Sequence, residues 1–168
     1  TLDFNDGNGP VPAHRHENGR GWVADTASVD ASAFVGDRAR VYGDARVCDN
    51  AQVCGGAWVC GNAQVYGNAR VCDNAMVCDN AMVCDNAMVF GDAMVCGDAM
   101  VCGDARVFGD ARVNGIKRSD GYAFVYVPCA DGEMRVIAWC RYFTMDEARK
   151  HWGESRRGTA LGDETIAI

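Results

Sequence analysis

The middle of the chain lacks several residue types on which enzymes and membrane proteins depend. Between Val23 and Val113 there is no histidine, glutamate or lysine, so most of the usual general bases are missing from this stretch. No proline occurs between Pro12 and Pro128, so a β-ladder there would lose no backbone donor. No segment resembles a signal peptide or a membrane span. We therefore expect a cytoplasmic protein that does not bind membranes and has no catalytic residue in its central stretch.

The central stretch is instead a six-residue repeat. A valine stands at every sixth position from Val23 to Val113, and from Ala27 to Ala111 an alanine lies two positions before each valine. The unit reads A-x-V-x-[GD]-[ND]. Residues two positions apart share one face of a strand, and the last two positions favour a turn. Because apolar spacings of two and four do not match the helical period, each unit is predicted to be a short strand followed by a bend.

Three units would close a triangular coil of about 18 residues with alanine and valine inside. The sixteen valines then give a little over five coils. From Trp22 to about Asn114 the chain resembles the hexapeptide-repeat proteins, which implies an all-β solenoid, the left-handed parallel β-helix. The Gly21-Trp22-Val23 start, the unbroken repeat and the short C-terminal unit are most similar to the non-catalytic members of bacteriophages and their bacterial relatives. That similarity implies a bacterial or phage-encoded protein and leaves virion association open.

The sequence predicts three regions: an N-terminal cap (1–22), the β-helix (23–114) and a small α+β capping module (115–168). A parallel β-helix exposes unpaired strand edges at both ends, and these edges need covers. The cap is rich in Gly, Asn and Pro, and its apolar residues are expected to plug the open end of the first coil. These residues are Leu2, Phe4 and Val11.

The C-terminal module has its own local signals. Residues 122–129 and 134–140 are predicted to form a hairpin around an Asp-Gly turn. Thr144 and Glu147 fit a capping box, which predicts a short helix that continues through Trp152. We expect this module to dock on the solenoid, because it is too small to bury a core of its own.

The 18-residue period assigns the outward residues to three faces, of which face one is the most apolar. Its outward strand residues are Trp22, Arg40, Trp58, Met76, Met94 and Arg112. Monomers seldom leave a long apolar strip open to water, so we expect face one to bind a second copy in a dimer or a trimer, and a protein partner is also open. The predicted contact residues are Trp22, Tyr42, Trp58, Cys60, Met76, Cys78, Met94 and Cys96.

Cysteine and histidine suggest sites of another kind. The ten cysteines in a chain without an export signal indicate reduced thiols. In the coils they share a position with Tyr and Phe, so we interpret them as stacking residues, and a thiolate ladder that binds a soft metal is the alternative. In the cap, His14 and His16 would lie on one side of an extended segment, which suggests a metal site. No cofactor is expected.

The acidic residues lie at the bends. Residues 1–114 hold 8 Lys/Arg against 15 Asp/Glu, and acidic rows of this kind repel nucleic acid. We therefore expect a non-catalytic scaffold or binding protein that does not bind nucleic acid directly. Two alternatives stay open: an acyltransferase that uses coenzyme A, as in many hexapeptide-repeat proteins, and an acidic mimic of nucleic acid that inhibits a basic protein.

Overall fold

The computed structural model describes residues 1–117, 123–128, 134–138, 141–155 and 159. Within these residues the chain forms twenty strands and one helix. In chain order they are β1 (Ala13–Arg15), β2 (Trp22–Ala24), β3 (Ser28–Val29), β4 (Phe34–Val35), β5 (Arg40–Val41), β6 (Arg46–Val47), β7 (Gln52–Val53), β8 (Trp58–Val59), β9 (Gln64–Val65), β10 (Arg70–Val71), β11 (Met76–Val77), β12 (Met82–Val83), β13 (Met88–Val89), β14 (Met94–Gly97), β15 (Met100–Val101), β16 (Arg106–Val107), β17 (Arg112–Lys117), β18 (Ala123–Pro128), β19 (Met134–Ala138), β20 (Arg141–Thr144) and α1 (Met145–Ser155).

The strands of the repeat form three parallel sheets, as the six-residue period predicts. Two sheets have five strands each, in the orders β16-β13-β10-β7-β4 and β15-β12-β9-β6-β3. The third runs β1-β2-β5-β8-β11-β14-β17-β18-β19-β20 and has ten strands. Partners lie one coil apart, as Met76 does from Trp58 and from Met94. The chain is therefore a solenoid of about five stacked coils, and the predicted coil length is confirmed.

The interior of the solenoid contains only small and medium side chains. Alanine and valine alternate inward, and most of them have no exposed surface. Ala27 and Val29 are partly exposed, because β3 ends its sheet at the first coil. Such an interior is narrow, so a side chain larger than alanine at the alanine positions would displace its neighbours.

The bends depend on left-handed backbone. The first bend residue is glycine or aspartate, for example Gly61 (φ 67°) below Asp79 (φ 60°). A Cβ added at Gly61 would lie 2.9 Å from the backbone nitrogen of Asp79, so glycine is required there both for φ and for space. Aspartate tolerates the same conformation better than most residues do.

The N-terminal segment covers the first coil, but not in the way that the sequence suggested. β1 pairs antiparallel with the edge of β2, and Asn18 and Gly21 hydrogen-bond to Val35 at the edge of β4. Leu2, Phe4 and Val11, the expected end plugs, pack instead on the outer side of the ten-stranded sheet. The prediction of plugs was therefore wrong in position, because the coil interior is already filled by its own alanines and valines.

The C-terminal module extends the ten-stranded sheet. β17 continues the ladder of β14 and pairs antiparallel with β18, and β18 pairs with β19. The predicted hairpin is thus confirmed, although its turn lies outside the described residues. β20, which the sequence analysis did not predict, pairs with β19. β18 and β19 also contact β15, so the module covers the last coil.

Helix α1 begins with the predicted capping box. The Thr144 backbone N–H donates to Glu147 Oε2 at 2.8 Å, and the Glu147 N–H donates to Thr144 Oγ1 at 3.1 Å. These bonds from Thr144 hold the pKa of Glu147 below its usual value. Ala148 and Trp152 bury one side of the helix against Val136 of β19. No helix in the described part of the chain is long and apolar enough to cross a membrane.

Candidate functional site

Face one is the outer side of the ten-stranded sheet. Its outward residues stack in one row because successive coils pair in register at Trp22–Arg40, Arg40–Trp58 and Trp58–Met76. The row continues from Met76 through Met94 to Arg112. The structure therefore brings the predicted contact residues onto one sheet, as the 18-residue period implied.

The first half of face one is covered by the chain's own N-terminal segment. Phe4 is 1% exposed, and its ring stacks on Tyr42 with centroids 4.8 Å apart and planes at 20°. Tyr42 in turn meets Trp58 edge-on at 6.3 Å. Leu2 and Val11 pack against the same cluster. Tyr42 is buried and so cannot contact another molecule while the segment is docked.

Arginine side chains hold the edges of this cover. The Arg15 guanidinium lies over the Trp22 ring at 4.1 Å, and that of Arg40 lies over the Trp58 ring at 5.2 Å. Arg40 also reaches the Phe4 carbonyl oxygen at 3.5 Å. Stacking of arginine on an aromatic face is favourable even at exposed sites. Trp22, Tyr42, Trp58 and Cys60 therefore form an internal cluster with the N-terminal segment, in which Tyr42 is buried and the other three are partly exposed.

The second half of face one forms what we call the sulfur patch: Met76, Cys78, Met94 and Cys96. All four side chains are partly exposed. Arg112 of β17 is exposed and pairs with Met94, so it lies next to the patch. The patch thus adjoins a partly buried aromatic cluster on one side and a cation on the other. Met76 and Met94 within it come from strands in parallel register.

The other two faces carry related residues. On the outer side of the β12–β15 sheet, Met82 is partly exposed, whereas Cys84 and Cys102 are buried. On the β4–β16 sheet Met88 is partly exposed, and beside it Phe90 and Phe108 stack at 5.5 Å. The methionines of the three faces are chemically equivalent, and those of face one adjoin the aromatic cluster on which the N-terminal segment packs.

The coil cysteines stack in columns. None of the eight forms a disulfide. The sulfur atoms of Cys54 and Cys72 are 2.8 Å apart, which is longer than the ~2.05 Å of a disulfide. Because the two thiols of a stacked pair interact, their pKa values differ. The hydrogen bond from Cys78 lowers the pKa of Cys60 to about 7, whereas burial, together with the Cys54 bond, raises that of Cys72 to about 12.

The same effects act on the β12–β15 sheet and elsewhere on face one. The hydrogen bond from Cys102 lowers the pKa of Cys84 to about 7. The bond with Cys60 raises the pKa of Cys78, and burial raises the pKa of Tyr42 and of Tyr66. The pKa values of Cys60 and Cys84 therefore lie near neutral pH, whereas that of Cys78, the neighbour of Cys60, lies above its usual value.

The acidic bends carry a structural function. The Asp79 carboxylate accepts a hydrogen bond from the Gly97 N–H one coil further on, at 3.0 Å, and Asp49, Asp73 and Asp85 do the same to the coil after each of them. At the next position Asn80 donates to Asp98 at 3.2 Å. These ladders join successive coils at the corners, which explains the acidic rows without reference to a partner.

The two histidines of the N-terminal cap lie in different surroundings. His14 is exposed, with Nδ1 2.8 Å from Asp25 Oδ1, whereas His16 is buried, with Nε2 3.0 Å from the Ala33 carbonyl oxygen. Among the described residues, neither histidine belongs to a group of three or more ligand-type side chains. The groups that do form contain cysteine and aspartate, and they are Cys78, Asp79 and Cys96, and Cys84, Asp85 and Cys102. The sequence left open a thiolate ladder that binds a soft metal, whereas a carboxylate ligand beside the thiols was not expected.

Side chains of the general-base type lie in the C-terminal module. An open cleft of about 410 Å³ beside α1 is lined by Phe143, Glu147, Lys150, His151 and Glu154. His151 stacks on Phe143 with centroids 5.2 Å apart. This stacking favours a role for His151 in an aromatic contact rather than as a general base.

Comparison with known families agrees with this architecture. The family model of the YdcK β-solenoid repeat matches residues 33–49 and 63–78. The chain is a β-solenoid repeat protein. Both matched segments lie in the coils, where the period is regular. No curated protein and no solved structure matches the chain.

Proposed function

We propose that this β-solenoid is a non-catalytic scaffold that self-associates through the sulfur patch. The observation that carries the proposal is the contrast within face one. Its first half is covered by Phe4 and its neighbours, whereas Met76 and Met94 continue the same apolar surface without a cover from the described residues. A second copy is the occupant that we propose, and a protein partner of similar apolar character would use the same surface.

The shape of the solenoid favours side-by-side pairing. β1 covers the start of the ten-stranded sheet and β18–β20 extend its end, which disfavours end-to-end stacking of coils through this sheet. A flat patch on one side of a rod pairs with itself about a two-fold axis. Because the acidic corners on either side of the patch would approach their counterparts, association should strengthen as salt increases.

The test is the molecular mass in solution. Light scattering should give a dimer for the wild type and a monomer for Met76→Glu combined with Met94→Glu. The matched control is Met82→Glu combined with Met88→Glu, which adds the same charge on the other two faces and should leave the dimer intact. A monomeric wild type, or equal dissociation of both double variants, would contradict the assignment. Trp58 is a poor target because it belongs to the internal cluster.

We also propose the finer family assignment, a left-handed coil of the hexapeptide-repeat type. It is supported by the Ala–Val interior and by the pairing of residues 18 positions apart, such as Val77 with Val95. A crystal structure would test it directly, since a right-handed coil contradicts the assignment.

A further inference from the structure

Two groups of side chains in the solenoid have the composition of a metal site. In each group two cysteine sulfurs and one carboxylate oxygen all lie within 4.8 Å of one another. The groups are Cys78, Asp79 and Cys96, and Cys84, Asp85 and Cys102. They are related by one six-residue unit and lie on neighbouring faces, so the same arrangement occurs twice in one chain.

The arrangement follows from the direction of the aspartate side chain. Asp79 and Asp85 both have left-handed backbone, with φ of 60° and 59°. Each carboxylate reaches toward the following coil, where it accepts a hydrogen bond from Gly97 or Gly103 at 3.0 Å. The same oxygen atoms lie 3.9 Å from the sulfurs of Cys78 and Cys84. The carboxylate therefore comes close to the cysteine of its own coil and to that of the next.

Other stacked cysteines show that the order of residues matters. Cys54 and Cys72 are also adjacent, but Gly55 follows the first of them. The carboxylate there belongs to Asp73, which follows the second cysteine and bonds to Gly91 one coil further on. This pair is absent from the groups of three ligands found among the described residues. A carboxylate thus joins two sulfurs only where aspartate follows the first cysteine.

Two thiolates and one carboxylate suit a borderline-soft divalent ion. Zinc takes sulfur at about 2.3 Å and carboxylate oxygen at about 2.0–2.2 Å in a tetrahedron, which requires sulfurs roughly 3.8 Å apart. Rotation about the cysteine side chains is enough to reach this separation from the observed range. Calcium and magnesium prefer sites made of oxygen alone. The hydrogen bond from Gly97 or Gly103 orients the carboxylate, as partners of metal ligands usually do.

We propose that these two groups are equivalent sites for a zinc-class divalent ion, with three protein ligands each and the fourth position open. Binding displaces the two thiol protons of each site to solvent and links adjacent coils at the corner. One of the two sites is independent of self-association, because Cys84, Asp85 and Cys102 lie on a face that the proposed dimer does not use, whereas Cys78 and Cys96 of the other site belong to the sulfur patch.

The test is calorimetric titration of the full, reduced and metal-free chain with Zn²⁺, with Cd²⁺ as a spectroscopic probe of thiolate binding. We expect two ions per chain. Asp79→Asn and Asp85→Asn should each weaken one site at least about tenfold, since even groups outside the ligand shell change metal affinity by about 10–100-fold. Asparagine also tolerates left-handed backbone and can still accept the glycine N–H, so the corner should be kept.

Matched controls decide the interpretation. Cys96→Ser should remove one ion and Cys102→Ser the other, whereas Cys54→Ser in the pair without a bridging carboxylate should leave two. Absence of Zn²⁺ binding, or an unchanged affinity in Asp79→Asn combined with Asp85→Asn, would overturn the proposal. Equal loss in Cys54→Ser would also overturn it, because binding would then follow the cysteine column alone. Light scattering of Cys102→Ser should show the same mass as the wild type, which separates this result from the test of association.

Discussion

Replacing Phe4 with alanine should detach the N-terminal segment from face one. Phe4 is 1% exposed and stacks on Tyr42, and its neighbours Leu2 and Val11 are only partly buried. Phe4 therefore supplies most of the apolar contact that docks residues 1–12. Once its ring is removed, the remaining contacts are too few to offset the entropy of ordering the segment.

The expected cost follows from this geometry. Burial of a phenylalanine side chain is worth about 1.5–3 kcal/mol, and an aromatic pair adds about 0.5–1.5 kcal/mol. A rigid core site would lose about 3–5 kcal/mol on truncation to alanine. Here the segment can detach, which limits the loss to its docking free energy, and we expect about 2–3 kcal/mol. Phe34→Ala is the matched control, because Phe34 lies on the first coil but is 36% exposed, and it should cost at most about 1 kcal/mol.

The assay is hydrogen exchange combined with urea unfolding. In the wild type the backbone N–H groups of Leu2 and Val11 bond to each other's carbonyl oxygens at 2.9 and 3.0 Å. Phe4→Ala should remove protection at both amides and leave the coil amides, such as that of Met76, unchanged. It should also strengthen self-association, because Tyr42 and Trp58 would then extend the sulfur patch. Unchanged protection, or a loss of stability no larger than in Phe34→Ala, would refute the reasoning.

Three further predictions concern the interior and the thiols. Ala75→Leu should lower the free energy of unfolding by about 1–3 kcal/mol, because it overpacks the interior, and Met76→Lys should cost less when measured in the monomer; equal costs in urea unfolding would mean that the inward and outward sets are reversed. Alkylation without reductant, followed by mass spectrometry, should label the coil cysteines, and fully blocked cysteines would contradict reduced thiols. The labelling rate at Cys60 should rise as the pH passes about 7 and then level off, because the Cys78 hydrogen bond lowers its pKa to that value. The rate at Cys72, whose pKa is about 12, should still be rising well above neutral pH; identical profiles would contradict the pairing of the thiols.

The repeat could be predicted from the sequence because its information is local and periodic. The positions of Val77 and Met76 follow from alternation, and their partners follow from the 18-residue period. The docking of Phe4 does not follow in this way. Its segment has no period, and its path depends on an aromatic cluster formed by Tyr42 and Trp58, which are distant in sequence.

The two groups of cysteine and aspartate could be predicted in part: less fully than the repeat and more fully than the docking of Phe4. The spacing of Cys78 and Cys96 was predicted, and Asp79 was predicted to form a turn. What sequence reasoning missed is the direction of the carboxylate, which is set by the left-handed backbone of Asp79 and by the Gly97 N–H. Both groups share a simple sequence pattern: a Cys-Asp pair, with a second cysteine 18 residues after the first. This pattern could have been found in the sequence.

The covers at the two ends explain how a repetitive chain can have one specific surface. Met76, Met82 and Met88 occupy equivalent positions on three faces, so the repeat alone would let any face pair with any other, and association would have no defined end. β1 of the N-terminal segment and β17–β20 both join the ten-stranded sheet, while Asn18 and Gly21 also hydrogen-bond to Val35 of β4. Face one thus becomes longer than its neighbours, apolar in its middle and bounded at both ends. In the proposed dimer, a surface bounded in this way would select a single register for the second copy and would give a closed pair.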